Sequence, residues 1–163
     1  MRADDGSVIR YLIGQSGHIL VIHDEVVVHI EQYRQSQCWM KEAGGQLFAT
    51  FEAGDIIIRH ATGPRSTDKR GRHHYRPDRQ SERLEIVDYF GRGLHFIGDW
   101  HTHAQFHPTP SDSDLSSIRE SVQRSDHQLN GFLLLILGQA ALPGGLYVAA
   151  CDAHGSYPLS AVG

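Results

Sequence analysis

The chain has 163 residues, 40% of them apolar and 21% charged, which predicts one compact domain over residues 1–163. A formal charge of −4 excludes a chain-wide attraction to nucleic acid or an anionic membrane, so any electrostatic recognition must be local. Two cysteines, Cys38 and Cys151, are too few for a disulfide framework and lack the spacing of a cysteine zinc site.

The opening MRADDGSVIR carries acids and no apolar leader core, and the longest apolar run, FLLLIL at 132–137, is too short to cross a bilayer. The expected location is the cytoplasm. Val8 to Ile13 and His18 to Ile22 are partly alternating runs around GQSG, a β-hairpin with glycines in its turn. Asp24 is placed to cap a helix running to about Met40, with Val27, Ile30, Tyr33 and Cys38 near helical spacing. Gly44-Gly45 breaks that helix, and Gln46 to Phe51 and Asp55 to His60 read as strands joined through Glu52-Ala53-Gly54.

From Pro64 to Gln80 the composition turns basic, with Arg65, Lys69, Arg70, Arg72, Arg76 and Arg79 and no apolar periodicity, which predicts a long loop. Ser81 caps a helix over about Glu82 to Phe90 that turns Leu84, Val87 and Tyr89 or Phe90 to the core, and Gly91 and Gly93 end it. Leu94 to Trp100 is a strand, and a helix from Ser111 to about Arg124 places Leu115, Ile118 and Val122 on one face. Phe132 to Leu137 and Leu146 to Cys151 are buried strands joined through Pro143-Gly144-Gly145. The order predicts an α/β sandwich, a mixed central β-sheet flanked by helices.

The chemistry concentrates in GDWHTHAQFHPTPSDSD, Gly98 to Asp114, which reads H-x-H-x7-S-x-x-D through His101, His103, Ser111 and Asp114. In an extended chain His101 and His103 point to the same side, and the turn-rich AQFHPTP connection can bring Asp114, in the first turn of the next helix, back toward them. Two imidazoles and a carboxylate leave one tetrahedral position open, as in a catalytic zinc site, although the same set also holds Fe(II). Ser111-x-x-Asp114 equally resembles a helix capping box. Asp99 shares the phase of the two histidines and is either an acceptor for an imidazole N–H or a strand-end acid.

These residues resemble the JAMM motif of the JAB/MPN metalloproteases, a distant upstream Glu followed by H-x-H-x7-S-x-x-D, with the full spacing at His101, His103, Ser111 and Asp114. Family members carry the Glu after the first long helix, just before a strand of the type G-x-L, where Glu42 stands in KEAGGQLFA. A weaker likeness in the order of elements covers most of the chain. Many members have Pro after the second histidine, where this chain has Ala104. The GDWHTH version and short length are similar to a bacterial branch found beside ubiquitin-activating-like and conjugating-like enzymes in antiphage systems.

The resemblance implies the MPN/JAB fold, whose sheet is related to that of cytidine deaminases, and one Zn2+ per chain held by His101, His103 and Asp114. It implies Glu42 as the general base, rather than Glu25, Glu31 or Glu52, and Ser111 as a donor to the tetrahedral oxyanion, worth about 3 kcal/mol. The implied reaction hydrolyses the amide joining a ubiquitin-like or C-terminally conjugated protein to a lysine. Partners would be that modifier or its conjugate and the activating-like and conjugating-like enzymes. Processing of a linear ubiquitin-like or sulfur-carrier precursor, and a non-catalytic MPN scaffold, are the alternatives. The basic stretch is either a cationic lip for an acidic substrate face or a solvated insertion. A deaminase would need H-x-E with P-C-x-x-C, and nucleic-acid binding a basic recognition helix; neither occurs.

Overall fold

The computed structural model describes residues 8–124 and 131–162; most of the acidic opening stretch lies outside them. Among these residues the elements are β1 (Ile9–Leu12), β2 (Ile19–Ile22), α1 (Asp24–Glu31), β3 (Gly44–Glu52), β4 (Asp55–Ala61), β5 (Lys69–Gly71) and β6 (His74–Arg76). They continue with α2 (Arg79–Gly91), β7 (His95–Thr102), α3 (Asp112–Arg124), β8 (Phe132–Leu137), β9 (Leu146–Cys151) and β10 (Ser156–Pro158). Eight strands form one mixed sheet in the order β1-β2-β4-β3-β7-β8-β9-β10, parallel at β2-β4 and β7-β8. β5 and β6 pair separately.

Both faces of the sheet are covered. Val26, Val27 and Ile30 of α1 pack with Leu20, Leu47, Ile97, Trp100 and Leu135 on one face. Ile118 of α3 packs with Phe132, Leu134 and Ile136 on the other, and Tyr89 of α2 stacks on Phe48 at 4.2 Å. This double coverage is why FLLLIL is apolar at every position.

Ile97 and Trp100 share a face although three residues separate them, which a regular strand forbids. The β3–β7 ladder resolves this with a register shift between Leu47 and Phe48, opposite Gly98. The irregularity changes the phase of β7 and sends Asp99 and His101 toward α2 and α3. A Cβ at Gly98 would lie 1.9 Å from the Leu133 carbonyl oxygen, so this approach requires glycine.

Several expectations change. The first helix ends at Glu31 instead of near Met40, because Arg34 turns its guanidinium to the carbonyls of Gly138 and Ala140, and buried Gln35 bonds Met40 and Arg72 carbonyls. Its N-cap is His23 rather than Asp24. β3 opens at Gly44 rather than at Gln46, and a Cβ at Gly45 would lie 1.7 Å from the Thr62 oxygen.

The second helix starts at Arg79 under an Asp78 cap, to which Ser81 Oγ donates at 2.8 Å. Leu84, Val87 and Phe90 face solvent, 64–72% exposed. The covered stripe is Glu82, Glu85 and Tyr89, whose acids are satisfied by Arg79 and Arg65. Finally, the basic stretch contains the β5–β6 hairpin and is tied down by Arg65, which bonds Glu85 at 2.5 and 2.6 Å and contacts Asp68.

Candidate metal centre

The end of β7 and the start of α3 converge. His101 Nε2 and His103 Nε2 lie 3.1 Å apart, and Asp114 Oδ2 stands 3.2 Å from the first and 3.1 Å from the second. Donors held about 2.0–2.1 Å from one zinc ion at tetrahedral angles sit roughly 3.3 Å from one another. The three atoms therefore already form nearly one face of such a tetrahedron, and the donor set fits zinc. His101 is buried, while His103 and Asp114 remain partly open to a cleft.

The capping box and the ligand arrangement coexist. Ser111 N–H donates to Asp114 Oδ2 at 2.8 Å, and Asp114 N–H donates to Ser111 Oγ at 3.1 Å. The cap fixes the carboxylate whose same oxygen faces both imidazoles, and the Ser111 O–H is left as a donor toward the cleft. Although burial opposes ionisation of Asp114, its contacts with the His101 and His103 imidazoles hold its pKa far below the usual carboxylate range.

Gln105, which no sequence motif marked, sets the tautomer of His103. Its Oε1 lies 3.1 Å from Thr109 N and 3.1 Å from His103 Nδ1. The Thr109 N–H can only donate, so the Gln105 atom must be the oxygen and His103 Nδ1 must carry the proton. That leaves the His103 Nε2 lone pair facing the metal position. Burial lowers the His103 pKa, but the bonds to Asp114 and Gln105 outweigh it and the net shift is upward.

Glu42 reaches the same cleft from the start of β3. Gly44 pairs with His101, Ala43 N–H donates to Thr102 Oγ1 at 2.9 Å, and Thr102 N–H donates to Ala43 O at 2.9 Å. The β5–β6 hairpin grips Glu42 from the other side: its N–H donates to Gly71 O at 2.7 Å, and Arg70 Nε donates to its carbonyl at 2.7 Å. Thr102 is supported in turn by Gln35 Oε1 at 3.0 Å. Burial pushes the Glu42 carboxyl up to about 7; His103 counteracts this and Asp114 adds to it. A half-buried carboxyl at that pKa suits proton transfer near neutrality.

Glu42, His101, His103, Ser111 and Asp114 thus line one cavity of about 960 Å³. Of the competing acids, Glu31 pairs with Arg34 and Glu52 with Arg59. Asp99 does not serve as the imidazole acceptor: its Oδ1 is buried without a hydrogen-bond partner. His107 faces the Gly144 carbonyl at 3.3 Å. Arg70 and Arg72 spend their guanidinium groups on the carbonyls of Glu42 and Cys38, which leaves Lys69, His73, His74 and Arg76 on the cleft rim. The supports Gln35, Arg70, Thr102 and Gln105 carry no motif, because each acts on residues set by tertiary pairing.

A family model described as prokaryotic homologs of the JAB domain matches residues 23–150. A Vibrio cholerae serotype O1 protein named CD-NTase/cGAS isopeptidase is 32% identical over 130 residues, covering 77% of this chain and 80% of that protein. An Escherichia coli protein of the same name is 32% identical over 101 residues, 60% of this chain and 65% of the relative. A solution structure of a Desulfitobacterium hafniense protein shares the fold at a TM-score of 0.60 and 16% identity, covering 84% of this chain and 87% of that one. No helix among the described residues is long and apolar enough to cross a membrane.

Proposed function

We propose, from the premise that the chain belongs to the family of prokaryotic JAB-domain homologues, that it is a zinc-dependent isopeptidase. It hydrolyses the amide joining the C-terminal carboxylate of a conjugated or ubiquitin-like protein to a lysine of its target. The name of these relatives supports a hydrolase of this type and suggests a CD-NTase as the conjugated protein. The observation that carries the reading is the near-tetrahedral face formed by His101, His103 and Asp114 in a cleft that also holds Glu42.

His101, His103 and Asp114 would hold the ion, and when bound it supplies Lewis acidity that polarises the scissile carbonyl and acidifies the attacking water. Glu42 takes a proton from that water and passes it to the leaving lysine nitrogen as the carbon–nitrogen bond breaks, releasing a carboxylate and an amine. Its backbone is held by Arg70 and Gly71, so the carboxylate reaches the reacting atoms without being a ligand. Ser111, anchored as the cap of α3, donates its O–H to the carbonyl oxygen as charge builds there.

The test is Glu42→Gln assayed on a purified lysine-linked conjugate. Hydrolysis is expected to fall at least about a hundredfold while zinc content stays unchanged. Full turnover by this variant, or loss of its zinc, would remove Glu42 as the base.

A further inference from the structure

The cleft extends past the metal centre along β7, and its floor holds a carboxylate that the chemistry above leaves unused. Asp99 precedes His101 by two strand residues, so its side chain leaves the same face about 7 Å farther in. Its Oδ1 is buried and accepts no hydrogen bond from the described residues, yet Asp99 lines the cavity. A buried carboxylate oxygen without a donor is costly and calls for an explanation.

Neighbouring donors are committed elsewhere. Gln46, paired with Asp99 across the ladder, turns its amide to the Glu82 carbonyl and Glu85 Oε2, both acceptors, so with its nitrogen assigned to that side it donates to them at 3.1 and 3.0 Å. Arg79 bonds Glu82 Oε1 at 2.9 Å, and Arg65 is taken by Glu85. Glu82 is itself buried beside this floor. Opposite Asp99, α3 presents Ser113, Ser117 and Ile118, and Leu134 rises from β8. The combination is a mixed cleft, with Ile118 and Leu134 on its walls, hydroxyls along it and an unmet acceptor on its floor, which suits the aliphatic stem and charged head of a basic side chain.

We propose that Asp99, backed by Glu82, is a recognition subsite for a guanidinium or ammonium side chain of the protein substrate, about 7 Å along β7 from the metal centre. The inference rests on the isopeptidase reading only in taking the ligand to be part of a protein chain. Lys69 and Arg76 at the rim weaken the attraction for a free cation, so an isolated basic side chain binds in the millimolar range and a chain already seated in the cleft supplies the remaining affinity.

The experiment titrates Nα-acetyl-arginine amide and its neutral isostere Nα-acetyl-citrulline amide into the full zinc-loaded chain, followed by proton–nitrogen correlation spectra. Saturable shifts around Asp99, Glu82 and Ser117 are expected with the arginine probe at millimolar concentration, roughly tenfold stronger than with citrulline. Asp99→Asn should reduce the arginine probe to the citrulline level while retaining zinc. Equal binding of the two probes, binding of neither, or undiminished arginine binding in Asp99→Asn overturns the subsite. The probe contrast on the unsubstituted chain does not depend on how the variant folds. Arginine-selective binding by a protein that fails to cleave any lysine-linked conjugate would uphold the subsite and sink the isopeptidase reading.

Discussion

Two polar segments meet at the cleft and are held by different means. Residues 98–114 are organised by neighbours: Gln105 orients His103 two residues away, and Ser111 and Asp114 cap each other three residues apart. Residues 64–80 are organised at a distance, with Arg65 bound to Glu85, Arg70 to the Glu42 carbonyl and Arg72 to the Cys38 carbonyl. The first segment carries the donors that would bind metal, and the second holds Glu42, the proposed base, against them. Metal affinity and proton transfer should therefore respond separately to substitution.

Gln105→Ala tests the short-range half and carries the largest expected effect. Removing the oxygen that fixes the His103 tautomer should weaken zinc binding about 10–100-fold in a competitive chelator titration, and Gln105→Glu should restore it because an acceptor returns. Equal zinc affinity in all three proteins would contradict this role.

Arg70→Ala tests the long-range half. Loosening the Glu42 backbone should lower kcat roughly tenfold with zinc affinity unchanged, the cost expected when a reacting group is misplaced by a fraction of an ångström. A parallel loss of zinc would mean that the two halves are not separable.

The smallest expected effect concerns stability. Burial, with Glu82 adding to it, raises the Asp99 pKa to about 7, whereas an unfolded Asp titrates near 3.9. Between those values only the folded state keeps the proton, so this group makes the protein less stable as pH rises from about 4 to 7. Asn does not ionise. In metal-stripped protein Asp99→Asn should therefore melt a few degrees above the parent at pH 8, with a smaller difference or none at pH 4. The same Tm difference at both pH values would refute the burial account.

The same contrast explains what was legible from residues alone. The hairpin of β1 and β2, the all-apolar β8 and the shared side of His101 and His103 follow from local pattern, and the structure has them. The place of Glu42 came from resemblance to a family motif, since spacing alone does not join it to His101; the β3–β7 pairing of Gly44 with His101 does. The faces of α2 were misread because its buried stripe is acidic, and Glu82 and Glu85 become tolerable only once Arg79 and Arg65 arrive. The hairpin inside the basic stretch has the same cause: its charges are tertiary ties. Gly98 stood in plain view, yet its irregularity appears only where Leu133 crowds it.

The central claim is tested most directly by the zinc content of the purified chain beside His101→Ala. One zinc per chain in the parent and none in the variant is the predicted result, with both proteins folded by circular dichroism. A parent that takes up no zinc when offered it, or a variant that binds as much as the parent, would contradict the metal centre and the isopeptidase built on it.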